Sequence, residues 1–448
     1  MDSGRPDVLI AVFACVLCFI IAVVKIYTKN DASRGGGGDR EVKQRAGNSN
    51  GNSAKKHAHG EKPKEKPKSN QPKTKKQPEK DKEKEVKDPW LFTTLKGHTG
   101  IINSMDYSTN GKYLATCAGD RTVLLWDVRE VAEKQHTSCK SFRVNLDGDS
   151  GDLIRWSPDS RAFVIHRSMD NSCQVHRVEK KDGGGFSTTP TKTFAKSGEN
   201  EIIAISIAPD GKFILTATGC NELTLWDLKG PNEITKIDTG LNQMAFAMIS
   251  PCGQFIAACG SDASVWTVSR KDISTLKKAF DLKDVCYLSF NQTGTKLATI
   301  SPSGAWKLYD IPPEIHARNP ILQASGNVVV NNGKQPRIAL SPQGDTLVIS
   351  SMEMISFYKI YRPNEPAELH RSINLGATVT QLLFDPQGKF LFCICKDRHI
   401  RVFTNATKFA CELDLANAKL KEPQTSATRE RLTKVVQEAR TRLNELCA

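Results

Sequence analysis

The sequence of 448 residues lacks the motifs that identify most enzyme classes. It has no H-E-x-x-H motif, and no G-x-S-x-G in the strand-to-helix setting of a nucleophile elbow. The Gly-Lys pairs at Gly111, Gly211 and Gly388 have neither the preceding glycine nor the following Ser or Thr of a P-loop. We therefore predict that the chain is not an enzyme and that it has no catalytic residue, cofactor or metal site.

The cysteines are too scattered to indicate a disulfide framework. The 13 Cys are odd in number and spread along the chain, whereas the cysteines of small secreted domains are dense and paired. Hydrophobic residues are scarce, because 39% is below the roughly 45–50% of a typical globular chain. The sequence therefore favours a reducing compartment and predicts that one segment is too polar to fold.

One long hydrophobic run is present at Val8–Val24, which has no charged residue. As a helix it would be about 25 Å long, enough to cross a thin bilayer, and this favours the endoplasmic reticulum membrane. A cleaved signal peptide is the alternative, but the leader is not basic, the apolar core is longer and no A-x-A site follows. Lys25, Lys29, Arg34 and Arg40 all follow the run, so we predict a lumenal N-terminus and a cytosolic remainder. The anchor domain comprises residues 1–27.

A basic, polar segment at residues 28–88 follows this anchor. Between Lys25 and Pro89 there are 19 basic and 10 acidic residues, which supply +9 of the formal charge of +14. The few apolar side chains cannot offset the entropy of ordering the chain, so we predict a disordered linker. Its lysines would attract RNA phosphates or anionic lipid headgroups, although no aromatic residues interleave to stack on bases; a solvated spacer is the alternative. The candidate RNA- or lipid-binding residues are Lys55, Lys56, Lys62, Lys64, Lys66, Lys68, Lys73, Lys75 and Lys76.

A repeating unit follows the linker and predicts the fold. Each copy has an apolar strand, a turn of the Ser/Asp-Pro-x-Gly type, a second apolar strand, a polar turn and a third strand ending in an aromatic residue. Clear copies span residues 104–127, 203–227 and 382–403, and four weaker copies bring the total to seven. A spacing of 41 to 51 residues matches a four-stranded blade, so we predict an all-β, seven-bladed β-propeller. The turn positions are Gly111, Ser160, Gly211, Gly253, Gly294, Gly344 and Gly388.

The repeats resemble those of the WD-repeat family. Trp126-Asp127 and Trp226-Asp227 are the signature dipeptide, and Gly97-His98 precedes the first copy. The resemblance implies a WD-repeat β-propeller whose first blade contains a buried structural hydrogen-bond network of His98, Thr116, Asp120 and Trp126. The other copies lack Gly-His, and several have another residue at or beside the Trp position, namely His176, Tyr309, Tyr358 and Phe403.

A propeller must also close its ring, because an open ring leaves sheet edges that pair with other chains. The apolar segment Trp90–Leu95 precedes the first repeat, while the last repeat ends at Phe403 with only three strands. We therefore predict that Trp90–Leu95 completes the last blade, within a propeller at residues 89–410.

The C-terminal domain at residues 411–448 is predicted to contain an amphipathic helix. The segment Thr425–Leu446 has no Gly or Pro and carries one apolar face. Packing against the propeller is one interpretation of this face, and a partner helix or a homodimer is the other, so the oligomeric state stays open. The candidate helix-interface residues are Leu432, Val436, Ala439, Leu443 and Leu446.

Over the whole chain, the membrane span, the Lys-rich linker, the repeats and the Arg-rich terminal helix resemble an endoplasmic reticulum branch of the WD-repeat family. The resemblance implies association with the stress-activated translation-initiation-factor kinase of that membrane, and with messenger RNA, during the unfolded protein response. The leading hypothesis is a membrane-anchored, non-enzymatic scaffold that assembles protein partners on the propeller faces. The alternative is an RNA-binding protein that recruits messenger RNA through the basic linker or a basic propeller face.

The sequence also contains glycosylation sequons at Asn291 and Asn405, which would not be glycosylated in the cytosol.

Overall fold

The computed structural model describes residues 86–447, except 130, 132–138, 182–184, 195–199, 231, 270–271, 314–318, 331–334 and 361–366. The predicted anchor and the candidate lysines of the linker lie outside the described residues. Within the described part of the chain, no helix has both the length and the hydrophobicity needed to span a bilayer.

The described residues form seven antiparallel sheets of four strands, each of which is one blade of a propeller. Blade 1 contains β2 (Ile102–Tyr107), β3 (Tyr113–Ala118), β4 (Thr122–Asp127) and β5 (Ser141–Asn145). Blade 2 contains β6 (Gly151–Trp156), β7 (Ala162–Arg167), β8 (Ser172–Lys180) and β9 (Phe186–Phe194). Blade 3 contains β10 (Ile202–Ile207), β11 (Phe213–Thr218), β12 (Glu222–Asp227) and β13 (Glu233–Asp238). Blade 4 contains β14 (Phe246–Ile249), β15 (Phe255–Cys259), β16 (Ala263–Val268) and β17 (Leu276–Leu282).

The remaining blades follow the same order of strands. Blade 5 contains β18 (Tyr287–Phe290), β19 (Lys296–Ile300), β20 (Ala305–Asp310) and β21 (Ile321–Asn327). Blade 6 contains β22 (Arg337–Leu340), β23 (Thr346–Ser351), β24 (Met354–Lys359) and β25 (Glu368–Asn374). Blade 7 contains β26 (Val379–Phe384), β27 (Phe390–Cys395), β28 (Ile400–Thr404) and β1 (Leu91–Leu95). The seven-bladed propeller predicted from the repeats is confirmed.

Each blade packs its faces against both neighbours, so the core lies between blades. Tyr113, Leu125, Trp156 and Phe163, for example, belong to one cluster that joins blades 1 and 2. The second strand of a blade is covered on both faces, and all six residues of β3 and of β11 are buried. Such strands are continuous apolar runs rather than alternating ones. The outer strands are largely exposed, as in β25.

The turn between the first and second strands has the chemistry that the repeats predict. In blade 1 the Gly111 N–H donates to the Ser108 carbonyl at 2.8 Å, and the Ser108 Oγ accepts the Tyr113 N–H at 2.9 Å. Gly111 has a φ of +70°, which a residue with a side chain rarely adopts. Ser160 adopts a φ of +57° at the corresponding position in blade 2. These turns lie on one face of the ring, here called the turn face, and the loops that join successive blades lie on the opposite loop face.

The N-terminal strand closes the ring, as predicted. Strand β1 pairs with β28 in antiparallel register, with Leu91 opposite Phe403 and Leu95 opposite Ile400. Blade 7 is therefore built from both ends of the propeller sequence. This pairing covers the edge of β28 that would otherwise present unpaired backbone groups to other chains.

The chain enters the ring through a fixed residue cluster at the turn face. The Trp90 ring lies 5.2 Å from the Phe357 ring, and the Arg371 guanidinium lies 5.2 Å from the Trp90 ring. Arg371 also donates from Nη2 to the Asp88 carboxylate at 2.8 Å, and the Trp90 N–H donates to the same carboxylate at 2.9 Å. The end of the linker is thus held to blade 6 as well as blade 7.

Two helices follow the last blade, whereas the sequence analysis predicted one. Helix α1 (Ala406–Leu420) begins directly after β28, before the domain boundary predicted at residue 411. Its N-cap is Asn405, whose buried side chain accepts the Lys408 N–H and donates to the Gly388 carbonyl. The predicted helix at Thr425–Leu446 is observed as α2 (Ser426–Cys447).

The apolar face of α2 packs against the described chain itself. Val436 and Ala439 are buried, and Leu432 is half-buried. Leu443 and Leu446 pack against the core cluster that contains Trp90. Of the two interpretations of this face, the structure therefore shows packing within the chain.

Deleting Trp90–Leu95 from the full-length chain should destabilise the whole propeller. The deletion exposes the edge of β28 and the core around Leu95, so we expect the free energy of unfolding to fall by more than about 5 kcal/mol. Thermal unfolding followed by circular dichroism measures this loss. Deletion of six linker residues, 69–74, is the control, and an unchanged melting temperature after loss of the strand would contradict ring closure by β1.

Candidate functional site

The structure brings together the four side chains that the resemblance assigns to a network in blade 1. His98 lies in the loop between β1 and β2, Thr116 on β3, Asp120 in the turn after β3, and Trp126 on β4. The Trp126 Nε1–H donates to Thr116 Oγ1 at 3.0 Å, and Thr116 Oγ1 lies 2.8 Å from His98 Nε2. His98 Nδ1 lies 3.0 Å from Asp120 Oδ2.

The hydrogen-bonding capacity of these groups assigns the proton positions. The indole N–H of Trp126 can only donate, so Thr116 Oγ1 accepts it and its own hydrogen points to His98 Nε2. His98 then carries its proton on Nδ1 and donates it to Asp120. This series of hydrogen bonds corresponds to a neutral His98 imidazole and an ionised Asp120 carboxylate.

The pKa values of the two titratable groups agree with this assignment. Burial lowers the pKa of His98 below its ordinary value, although the charge of Asp120 acts in the opposite direction. Burial alone would raise the pKa of Asp120, but hydrogen bonds from Thr122, Thr99 and His98 lower it to about 2. The network is buried and ties the loop between blades 7 and 1 to blade 1, which makes it a structural element.

The position of Trp126 is repeated in every blade, although the residue type changes. In each blade the equivalent residue of the third strand pairs with the second residue of the second strand. Trp226 repeats part of the network, because its Nε1–H donates to Thr216 Oγ1 at 2.8 Å. The seven equivalent residues are Trp126, His176, Trp226, Trp266, Tyr309, Tyr358 and Phe403.

A second set of polar side chains, which the sequence analysis did not single out, lines the axial channel. In blades 1, 3, 5 and 7 a side chain of the innermost strand accepts a backbone N–H from the next blade. These bonds satisfy edge groups of the inner strands, which have no strand partner on the channel side. In β10 and β18 the sequence signal is a single serine inside an otherwise apolar strand. The accepting groups are those of Asp106 (from Trp156), Ser206 (from Ile249), Ser289 (from Leu340) and Gln381 (from Met105), at 2.7 to 3.1 Å.

The channel widens at the turn face into a cavity of about 440 Å³. The innermost strand of every blade and the turn that follows it contribute to its lining. Several prolines of the repeated turns form the rim: Pro158, Pro209, Pro251, Pro342 and Pro386. The cavity is therefore a consequence of the sevenfold architecture rather than of any one blade.

Comparison with known proteins identifies the family. The WD domain, G-beta repeat model matches residues 90–127, the segment that contains the network of blade 1. Transducin beta-like protein 2 of Homo sapiens is 34% identical over 370 residues, which cover 80% of this chain and 81% of the human protein. The chain belongs to the transducin beta-like protein 2 family. The Mus musculus protein is 34% identical over 371 residues, covering 80% of this chain and 82% of its own length.

A more distant relative shows how far the likeness extends beyond the transducin beta-like protein 2 family. The guanine nucleotide-binding protein subunit beta of Saccharomyces cerevisiae is 23% identical over 224 residues, which cover 48% of this chain and 50% of that protein. A WD-repeat propeller of this kind typically serves as a non-enzymatic scaffold.

A basic patch lies where blades 7 and 1 meet on the loop face of this transducin beta-like protein 2 family member. Its side chains are exposed, and no ion pair is formed by any of them with a described residue. Arg398 Nη1 donates to the Thr99 carbonyl at 3.3 Å, which connects the two blades. We define this patch as Lys96, Arg121, Arg143, Lys396 and Arg398.

Both glycosylation sequons prove to be structural turns. Asn405 is fully buried as the N-cap of α1, and Asn291 is 3% exposed, with its side chain bonded to Thr293 and the Lys296 N–H. Neither amide is accessible to a glycosyltransferase in the folded protein. A glycan at either position would therefore have to be attached before the propeller folds.

Asp120→Asn should cost about 1–2 kcal/mol of stability at neutral pH, after allowance for the solvent that reaches the carboxylate. The low pKa of Asp120 in the folded state means that its contribution is complete above the unfolded value near 4 and is lost as the pH falls towards 2. Urea unfolding of wild type and variant should therefore differ most above about pH 4 and converge at lower pH. Asp127→Asn is the control, because Asp127 pairs with the exposed Arg129 and should cost less than about 1 kcal/mol. A constant difference from pH 7 to pH 2 would contradict the assigned charge state.

Proposed function

We propose that this chain is a non-enzymatic scaffold, anchored in the endoplasmic reticulum membrane, that assembles protein partners on a cytosolic propeller. The observation that carries the proposal is the closed ring, whose strands fix the positions at which the loops of the loop face begin and end. Rigid scaffolds with variable loops are well suited to recognition, because the loops change without disturbing the blades. The hydrophobic run Val8–Val24 supports an anchor, and the basic residues after it support a cytosolic propeller.

The entry point of the chain supports the use of the loop face for partners. Asp88 and Trp90 lie at the turn face of blades 6 and 7, and α1 starts beside them after β28. Leu443 and Leu446 of α2 pack in the same core cluster as Trp90. The entry of the chain at Asp88 and the start of α1 therefore lie on the turn-face side of the ring.

Three isolated apolar side chains on the loop face support protein recognition there. Ile101 is 53% exposed, Met169 is 77% exposed and Val329 is 76% exposed. They lie in loops of three different blades, among polar and charged residues. Exposed apolar groups within a polar surface are typical anchors of a protein interface. By resemblance to the endoplasmic reticulum branch of the family, the partner is the stress-activated kinase of that membrane, and the pathway is translation control in the unfolded protein response.

Proximity labelling in cells, with a labelling enzyme fused to the C-terminus, tests both the partners and the topology. We expect cytosolic proteins to be labelled, and we expect the combined change of Ile101, Met169 and Val329 to Ser to reduce capture of the strongest partners at least about tenfold. The matched control changes Ile321, Leu322 and Leu369 to Ser; these residues are also more than half exposed but lie on outer strands of blades 5 and 6. Labelling of lumenal proteins would contradict the topology, and equal losses in the two variants would contradict recognition by the loop face.

RNA binding is the second candidate function, and the basic patch of blades 7 and 1 favours it. Five exposed cations without an ion pair to a described residue attract phosphates, and the Lys-rich linker adds further positive charge. Since no aromatic residue interleaves with the linker lysines, the contacts would be to the backbone of messenger RNA rather than to its bases.

Crosslinking of full-length protein to RNA in cells separates the two candidates. If RNA binding is direct, reversing the charge of Arg121, Arg143 and Arg398 to Glu should reduce crosslinked RNA at least about tenfold, with a steep dependence on salt. The control reverses Lys181, Lys229 and Lys277, which are exposed on other blades. A second variant, with the nine linker lysines changed to Gln, measures how much of the RNA crosslinking depends on the linker. Wild-type protein that captures no RNA would remove this candidate.

A further inference from the structure

The cavity at the turn-face end of the channel is enclosed by all seven blades and is large enough for a small molecule. It lies on the opposite side of the ring from the loop face, so its occupancy is independent of the scaffold function proposed above. Its polar lining includes hydrogen-bond donors that are not used within the described chain.

Several donors in the lining have no acceptor within the described chain. Ser206 Oγ and Ser289 Oγ each accept one backbone N–H, which leaves both hydroxyl hydrogens free for another acceptor. Arg155 donates from Nη1 to Ser104 Oγ at 3.2 Å and to the Ile154 carbonyl at 2.7 Å, whereas its Nε and Nη2 have no partner among the described residues.

Several acceptors of the lining are used within the chain. Asp106 Oδ2 accepts the Trp156 N–H at 2.7 Å. Gln381 uses its amide oxygen and nitrogen on the backbone of Met105, both at 2.9 Å. Asp385 accepts the N–H groups of its own turn, from Gln387 and Phe390. The spare hydrogen-bonding groups of the lining thus include the donors of Arg155, Ser206 and Ser289, together with the second carboxylate oxygen of Asp106.

The lining carries one guanidinium, that of Arg155, and two carboxyl groups, those of Asp106 and Asp385. Arg155 forms no ion pair with a carboxylate of the described residues, although its charge lowers the pKa of Asp106 against the effect of burial. Burial has the larger effect and raises the pKa of Asp106 and that of Asp385, so both carboxyls are harder to ionise than in water. The charge of Arg155 reaches Tyr287 across the channel, where it opposes the effect of burial on the phenol pKa.

An aromatic wall lies beside these donors. The rings of Phe246 and Tyr287 stack at 4.3 Å between centroids, and the guanidinium of Arg337 lies 4.9 Å from the Tyr287 ring. Phe246, Tyr287 and Met248 all line the cavity. A ligand with an apolar ring beside its polar group would contact this wall.

We propose that the cavity binds a small aromatic or apolar molecule bearing an oxyanion group, a carboxylate or a phosphate. The oxyanion accepts hydrogen bonds from Arg155 and from the hydroxyls of Ser206 and Ser289, and the apolar part of the ligand packs against Phe246, Tyr287 and Met248. An oxyanion fits because it offers several acceptor positions and no donor, which complements the spare donors of the lining.

Isothermal titration of the full-length protein in an uncharged detergent tests this site with three probes: phenyl phosphate, benzoate and neutral benzyl alcohol. We expect saturable binding of phenyl phosphate or benzoate, and the tighter of the two identifies the headgroup. Arg155→Gln should weaken that binding at least about tenfold, because a charge-assisted hydrogen bond is lost. Arg161→Gln is the matched control, since Arg161 is exposed at the turn of the same blade, and it should bind as wild type does.

Two further variants keep the test decisive if Arg155→Gln unfolds. Ser104→Ala removes the contact that Arg155 makes with blade 1 but keeps the guanidinium, so binding should persist. Met248→Ala opens the aromatic wall and should weaken phenyl phosphate or benzoate more than about threefold, with the melting temperature of the unliganded protein as the check on folding. No saturable binding of either anion, equal affinity for benzyl alcohol, or anion binding that is insensitive to both Arg155→Gln and Met248→Ala would overturn the proposal.

Discussion

The antiparallel pairing of β1 with β28 is the constraint on which the rest of the structure depends. Each blade covers its faces with its two neighbours, so no blade is stable as an isolated sheet, and the last one must be completed before the ring has no free edge. The closure is reinforced on both faces. On the loop face the network of His98 and Asp120 fixes the crossover from blade 7 to blade 1, and on the turn face Trp90 and Arg371 fix the entry of the chain. The rigidity needed for a recognition platform follows from these contacts.

The strands and the number of blades can be predicted from the sequence, because the Pro and Gly residues of the turns allow the repeats to be recognised. The missing fourth strand of the last repeat also predicts the role of Trp90–Leu95. The network of blade 1 is predicted only by the family resemblance. Its sequence signals are the dipeptides Gly97-His98 and Trp126-Asp127, and no rule of spacing predicts that Thr116 lies beside both His98 and Trp126. The features that the repeats share, their strands and turns, can therefore be predicted from the sequence.

The channel contacts were not accessible from sequence, for two physical reasons. The inner strands contain bulges, as between Ile102 and Ser104, that shift the alternation of faces, so the side chains that face the next blade cannot be assigned by period. The contacts also join blades whose relative register is set only in the closed ring. Helix α1 was missed because it begins directly after β28, and its N-cap Asn405 had been interpreted as part of a sequon. Whether such an asparagine is a glycosylation site or a helix N-cap depends on its burial in the fold, which the residue type does not reveal.

The split composition of blade 7 also sets the order of events during synthesis. Strand β1 leaves the ribosome before any other strand of the ring, and its partner β28 leaves after all the others. Throughout translation β1 is an apolar strand without its native neighbour, and six complete blades have to form before it acquires one. A chain built in this way completes its ring only after β28 has been synthesised, and until then β1 exposes an apolar strand edge of the kind that promotes aggregation.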